Sequence, residues 1–249
     1  MGYSIALAGK GGTGKTTLAG LLVRYLVEKG KTPVLAVDAD ANANLNEVLG
    51  LEVGETLGDA REQMKKGAPS GMTKDLFMEM KVQEAVVEAD GFDLIVMGRP
   101  EGPGCYCAAN TLLTQFLDKL LDNYRFTVID NEAGMEHISR LTTDNVEVLL
   151  VVSDPTHRGV QAASRIVDLT EQLGLSIQRR MLIVNQAKDG QEAMIREMVA
   201  RFGLELAGIV PEDPLVREFD LEGKPTVDLA DNSPALNAAY RIFDRIAGE

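Results

Sequence analysis

Gly9-Lys10-Gly11-Gly12-Thr13-Gly14-Lys15-Thr16-Thr17 follows the apolar run Ser4–Ala8 and opens a helical pattern over Lys15–Lys29. In the spacing G-x-x-x-x-G-K-[ST], glycines let backbone amides converge on phosphate oxygens. The lysine then reaches the terminal phosphates and the following hydroxyl holds magnesium. Those places fall on Gly9, Gly14, Lys15 and Thr16. The helix that starts there turns its N-terminal amides and the positive end of its dipole toward the same anion. The whole segment Gly9, Lys10, Gly11, Gly12, Thr13, Gly14, Lys15, Thr16 and Thr17 is therefore the expected cradle for ATP or ADP with Mg2+.

Outward from this loop, further strand-like apolar runs recur at Pro33–Val37, Asp93–Met97, Phe126–Ile129, Val146–Val152, Met181–Val184 and Ala207–Val210. Most lack polar alternation, so they read as strands covered on both faces. Helical patterns lie between them at Ala108–Leu121, Gly159–Leu173, Glu192–Phe202 and Pro234–Ala247. The alternation predicts an α/β fold, a mostly parallel sheet with helices on both faces, built as one domain over residues 1–249. Glu55–Lys74 is the least regular stretch and reads as a surface segment.

Of the 249 residues, 45% are hydrophobic, enough for one large core, and no run of about eighteen apolar residues exists. A cytoplasmic protein with no membrane partner is expected. The formal net charge of -13 argues against a surface devoted to nucleic-acid phosphates. Two cysteines exclude a disulfide framework.

Phe126–Asp130 is an apolar strand ending in an acid, the pattern in which an aspartate reaches magnesium, so Asp130 is a metal-site candidate. Asp38 and Asp40 follow the second strand, at the carboxyl edge where open α/β sheets bind ligands. Asp38 either supports the magnesium shell or caps the turn that follows. Cys105 and Cys107 stand in G-P-G-C-Y-C. In an extended segment their sulfurs point to one side, and a two-fold axis beside them would gather four thiolates, as tetrahedral zinc or square-planar nickel requires. Two buried structural thiols and a strained redox disulfide remain alternatives at this point.

Lys10, in K-G-G-T-G-K-T-T, resembles the deviant phosphate loop of the family that includes MinD, ParA and the nitrogenase iron protein. That resemblance implies a homodimer sandwiching two ATP molecules, in which Lys10 crosses to the partner's nucleotide. It further implies catalytic roles for Lys10 and Lys15, and assigns Asp40 to the first switch, orienting the attacking water. Asn131-Glu132-Ala133-Gly134 corresponds to the second switch. An asparagine and a proline-containing loop face adenine in that family, which here points to Asn185, Pro211 and Asp213. The Asn185 amide could equally brace that loop.

With D-x-D at Asp38–Asp40, C-Y-C at Cys105–Cys107 and E-A-G-M-E-H over Glu132–His137, the chain resembles the CooC family along essentially its whole length. These are nickel-insertion ATPases that mature carbon monoxide dehydrogenase, with relatives serving acetyl-CoA synthase. The resemblance implies a nucleotide-controlled homodimer whose paired C-x-C motifs bind Ni2+ or Zn2+. His137 and His157 are the only histidines, too few for a histidine-based nickel store. The Ala41-Asn42-Ala43-Asn44 stretch departs from the more acidic or serine-bearing segment of some relatives. Two rivals remain: a MinD/ParA-like dimer switch and an electron-transfer ATPase with an interfacial iron-sulfur cluster. The first lacks a basic amphipathic terminal segment or lysine cluster here, and the second uses well-separated cysteines.

Overall fold

Strands buried on both faces need helices above and below, and the computed structural model, which describes residues 2–40, 44–98, 117–131 and 145–247, has that arrangement. Its strands are β1 (Tyr3–Gly9), β2 (Val34–Asp38), β3 (Val86–Glu88), β4 (Phe92–Val96), β5 (Phe126–Asp130), β6 (Asn145–Ser153), β7 (Ser176–Ala187) and β8 (Leu206–Pro211). They form one eight-stranded sheet in the order β3-β4-β2-β5-β1-β6-β7-β8. Every pairing is parallel except β3 with β4.

The side-chain period of two divides β1 between two cores. Ile5 and Leu7 join one, Ala6 and Ala8 the other. The first core takes helix α1 (Lys15–Glu28), α2 (Leu45–Leu49) and α8 (Pro234–Ile246). The second takes α3 (Leu57–Lys66), α4 (Lys74–Glu84), α5 (His157–Gln172) and α6 (Glu192–Arg201). Helix α7 (Pro214–Glu222) and a 3-10 turn at Thr226–Asp228 connect β8 to α8. Residues 117–121 are helical and agree with the end of the pattern read over Ala108–Leu121, whose beginning lies outside the described residues.

Expected and observed elements differ in instructive places. The irregular reading of Glu55–Lys74 is corrected, because that segment contains the ten-residue helix α3. Thr56 accepts from the Asp59 amide while the Asp59 carboxylate accepts from the Thr56 amide, a reciprocal cap worth about 1 kcal/mol. Leu57, Ala60 and Met64 then present an apolar stripe to the second core. The strand read as Met181–Val184 is twelve residues long, because Ser176–Arg180 is polar apart from Ile177 and the reading followed only the apolar run.

Candidate functional site

Parallel strands bring their carboxyl ends to one edge of the sheet, and the register sets the chemistry-bearing residues there at one level. Leu7 of β1 is opposite Asp130 of β5, and Asp130 is opposite Asp38 of β2. The loop leaving β1 thus begins beside two carboxylates.

Backbone proximity dictates the loop's glycines. A Cβ on Gly9 would sit 2.2 Å from the Val152 carbonyl oxygen, so no larger residue fits beside β6. Gly14 caps α1 in the left-handed conformation, with φ of 84°, and a Cβ there would come within 2.4 Å of Asn185 Nδ2. Gly11 and Gly12, by contrast, border open space at the rim of the loop. No side chain caps α1, which leaves its first amides directed at the space a phosphate would take.

Within the loop, the Lys10 carbonyl accepts from Thr13 Oγ1 at 2.9 Å and from Lys15 Nζ at 3.4 Å. Lys15 is therefore folded onto its own loop and largely buried, whereas Lys10 is exposed. Two neighbours from β7 hold the loop from outside. Asn185 Nδ2 donates to the Thr13 carbonyl at 2.9 Å, and Gln186 Nε2 donates to the Gly12 carbonyl at 3.3 Å. The Asn185 contact braces the phosphate loop itself, which the sequence did not specify. Gln186 was not singled out from the sequence, and it sits at φ of 59°, a strained value for a non-glycine residue. Only its adjacency to Asn185 signalled it.

Asp130 is 1% exposed, and its Oδ1 finds no hydrogen-bond partner among the described residues. Burial, reinforced by the charges of Asp38 and Asp40, pushes its carboxyl up to about 7 against the opposing Thr16 hydroxyl bond and the Lys15 charge. A buried, orphaned carboxylate oxygen on a group that already contacts the Thr16 hydroxyl is a donor set suited to a hard divalent cation such as Mg2+.

Asp38 differs. It is fully buried, its Oδ1 accepts from the Asp40 amide at 3.0 Å, and its Oδ2 accepts from the Leu45 amide at 2.9 Å. Burial raises its pKa in spite of these bonds. Each oxygen thus accepts from a backbone amide beyond β2, the contact that the capping alternative describes. Asp40 lies at the mouth, half-buried.

Asp213, expected near adenine, is held by protein groups. Its carboxylate accepts from the Leu215 amide, the Ser233 hydroxyl and the Ala235 amide, at 2.9, 2.6 and 3.2 Å. It is 6% exposed and joins the starts of α7 and α8, so these protein donors occupy its carboxylate. Pro211 ends β8 opposite Ala187, near the Asn185–Gln186 brace. Two further buried atoms flank β1 without a partner among the described residues: Asn131 Oδ1 at the end of β5 and Ser153 Oγ at the end of β6. Cys105, Cys107 and Glu132–His137 lie outside the described residues. Among those described, no group of three or more metal-ligating side chains occurs, and no helix is long and apolar enough to cross a membrane.

Residues 4–227 match the model of the CobQ/CobB/MinD/ParA nucleotide binding domain. An uncharacterized ATP-binding protein of Methanocaldococcus jannaschii is 42% identical over 247 residues, 97% of each chain. The carbon monoxide dehydrogenase accessory protein CooC of Rhodospirillum rubrum is 32% identical over 263 residues, again 97% of each. The cell division ATPase MinD of Pyrococcus furiosus superposes with a TM-score of 0.74 at 25% identity, covering 100% of this chain and 99% of that one. With the phosphate loop seated on this sheet, the chain belongs to the CobQ/CobB/MinD/ParA family of nucleotide-binding P-loop ATPases.

Proposed function

We propose that this ATPase is a nickel-insertion protein, acting as a homodimer that holds its metal cargo between paired Cys105 and Cys107 thiolates and delivers it to carbon monoxide dehydrogenase or a related nickel enzyme. The observation that carries the reading is the full-length similarity to CooC, 32% over 97% of each chain, in a sequence that has the C-x-C pair.

The chain's own groups suggest how the nucleotide would be handled. Lys15 leaves the Lys10 carbonyl and turns to the terminal phosphates, while the α1 amides and the glycine-rich backbone take the oxygens between. Thr16 and Asp130 would hold Mg2+, which neutralises phosphate charge when bound. Asp40 accepts a hydrogen bond from the attacking water and aims it at the γ-phosphate. Lys10, exposed on the rim, reaches the partner's nucleotide and stabilises charge developing on the transferred group. ATP thereby favours the closed dimer and its four thiolates, and hydrolysis releases that preference.

Titrating nickel into the reduced protein, with and without ATP or ADP, tests this reading. About one nickel per dimer with thiolate-to-metal absorbance, lost in Cys105→Ala, supports it. Nickel binding that ignores the cysteines, or none, returns the protein to the second reading, a MinD-like ATP-driven dimer switch, which the full-length superposition on MinD favours.

A further inference from the structure

β8 is the last strand of the sheet, so its outer backbone groups pair with no other strand among the described residues. The two helices nearest this edge lie on opposite faces. Helix α6 packs Ile195 and Val199 into one core, and α8 packs Ala239, Ile242 and Ile246 into the other. Between them runs a cleft of about 210 Å³ whose floor is Leu206–Ile209 of β8. Its walls carry Arg196 from α6, and Arg241 and Arg245 from α8, with Glu192 as the one carboxylate. None of the three arginines makes an ion pair or hydrogen bond among the described residues, although nearby Arg179 and Arg201 pair with Glu205 and Glu197. In a chain of net charge -13, three exposed arginines gathered on one cleft against a single carboxylate make a local positive patch suited to an anionic occupant.

We propose that this cleft is a docking site for an acidic, extended segment of a partner protein, which adds to β8 as a ninth strand and places carboxylates on Arg241, Arg245 and Arg196. The spacing fits. Residues four apart on a helix are separated by about 6 Å along its axis, and residues two apart on a strand by about 6.6 Å. Alternate acids of an added strand thus match Arg241 and Arg245, while a residue between them turns to the opposite face and Arg196. The main chain contributes ladder bonds and the guanidinium groups select the sequence. A second copy is a poor occupant, because pairing two β8 edges would oppose their arginines. A long nucleic-acid chain is repelled by the acidic molecule around the cleft, whereas a short segment lies within about one Debye length, roughly 8 Å, of the arginines.

The test measures fluorescence anisotropy of a labelled peptide, Thr-Glu-Val-Glu-Glu-Glu-Val-Glu-Thr, on the full-length protein. Controls are the same peptide with lysine for every glutamate, and one N-methylated at alternate amides. The expected result is saturable binding of the acidic peptide alone, weakened about tenfold or more by Arg241→Glu with Arg245→Glu and similarly by N-methylation. These exposed substitutions should leave ATP turnover and the thermal midpoint unchanged. Absence of binding at millimolar protein, or affinity indifferent to the charge reversals, overturns the proposal. Displacement by inorganic pyrophosphate without any effect of N-methylation also overturns it, by reducing the cleft to a simple anion site.

Discussion

Asp38 and Asp130 are register partners on neighbouring strands, both buried, yet only Asp38 has both carboxylate oxygens engaged by backbone amides. The asymmetry separates a carboxylate that builds the site from one that the site holds ready.

Asp130→Asn should therefore stabilise the nucleotide-free protein at neutral pH. The folded-state pKa of about 7 lies above the ordinary 3.8, so the folded chain binds the proton more tightly than the unfolded one. Stability from this group is complete below about pH 4 and is lost as pH rises toward 7. The variant's advantage is consequently absent near pH 4 and full near pH 8, on the order of 2–4 kcal/mol. Urea unfolding at the two pH values measures it, and Mg-ATP should stabilise the variant less than the parent. A variant no more stable at pH 8 would contradict the reading.

Lys15→Ala should weaken nucleotide binding and lower turnover by roughly 10²-fold or more, with an unchanged thermal midpoint. Lys10→Ala should keep nucleotide affinity but lose turnover and ATP-dependent association, read by sedimentation. Asp40→Asn should bind ATP and hydrolyse it roughly 10²-fold more slowly. Normal hydrolysis in the Asp40 variant removes it from the mechanism.

Asn185→Ala distinguishes the two roles given to that side chain. A loop brace alone predicts that affinities for ATP, GTP and inorganic triphosphate fall together, with about 1 kcal/mol lost from stability. Selective loss of ATP binding would assign the amide to adenine instead. Isothermal titration with the three ligands separates the cases.

Asp213→Ala should cost about 2–4 kcal/mol by uncapping α7 and α8 together and leaving buried donors unpaired. ATP affinity measured well below the melting transition should be retained. A large loss of affinity without loss of stability would reinstate Asp213 at the nucleotide.

How much of this was legible beforehand depends on whether the information is local. The phosphate loop was readable because its chemistry needs consecutive residues, Gly9 to Thr17. The inner strands were readable because burial on both faces leaves almost continuous apolar runs such as Val146–Val152, broken only by Glu147. Helix α3 was missed because most of its surface is polar, although Thr56 and Asp59 mark its start. Gln186 and the double cap at Asp213 were missed for a different reason. Their partners, Gly12 and Ser233, are set by tertiary docking rather than by neighbouring residues.

Helix α1 carries the phosphate loop on its first turn, and its far side is closed by segments made much later in the chain. Arg24 holds the Val227 and Leu229 carbonyls, Tyr25 packs on Phe243, and the Tyr3 hydroxyl donates to the Ile246 carbonyl across a sequence separation of 243. During synthesis the nucleotide loop therefore emerges first and its foundation near the end. A ribosome-bound chain that has not yet released Pro234–Ile246 has the whole motif and the sheet and α2 beneath α1, but not the packing of α8 against it. A product broken off before Pro234 thus carries the phosphate-binding sequence with one side of α1 left uncovered.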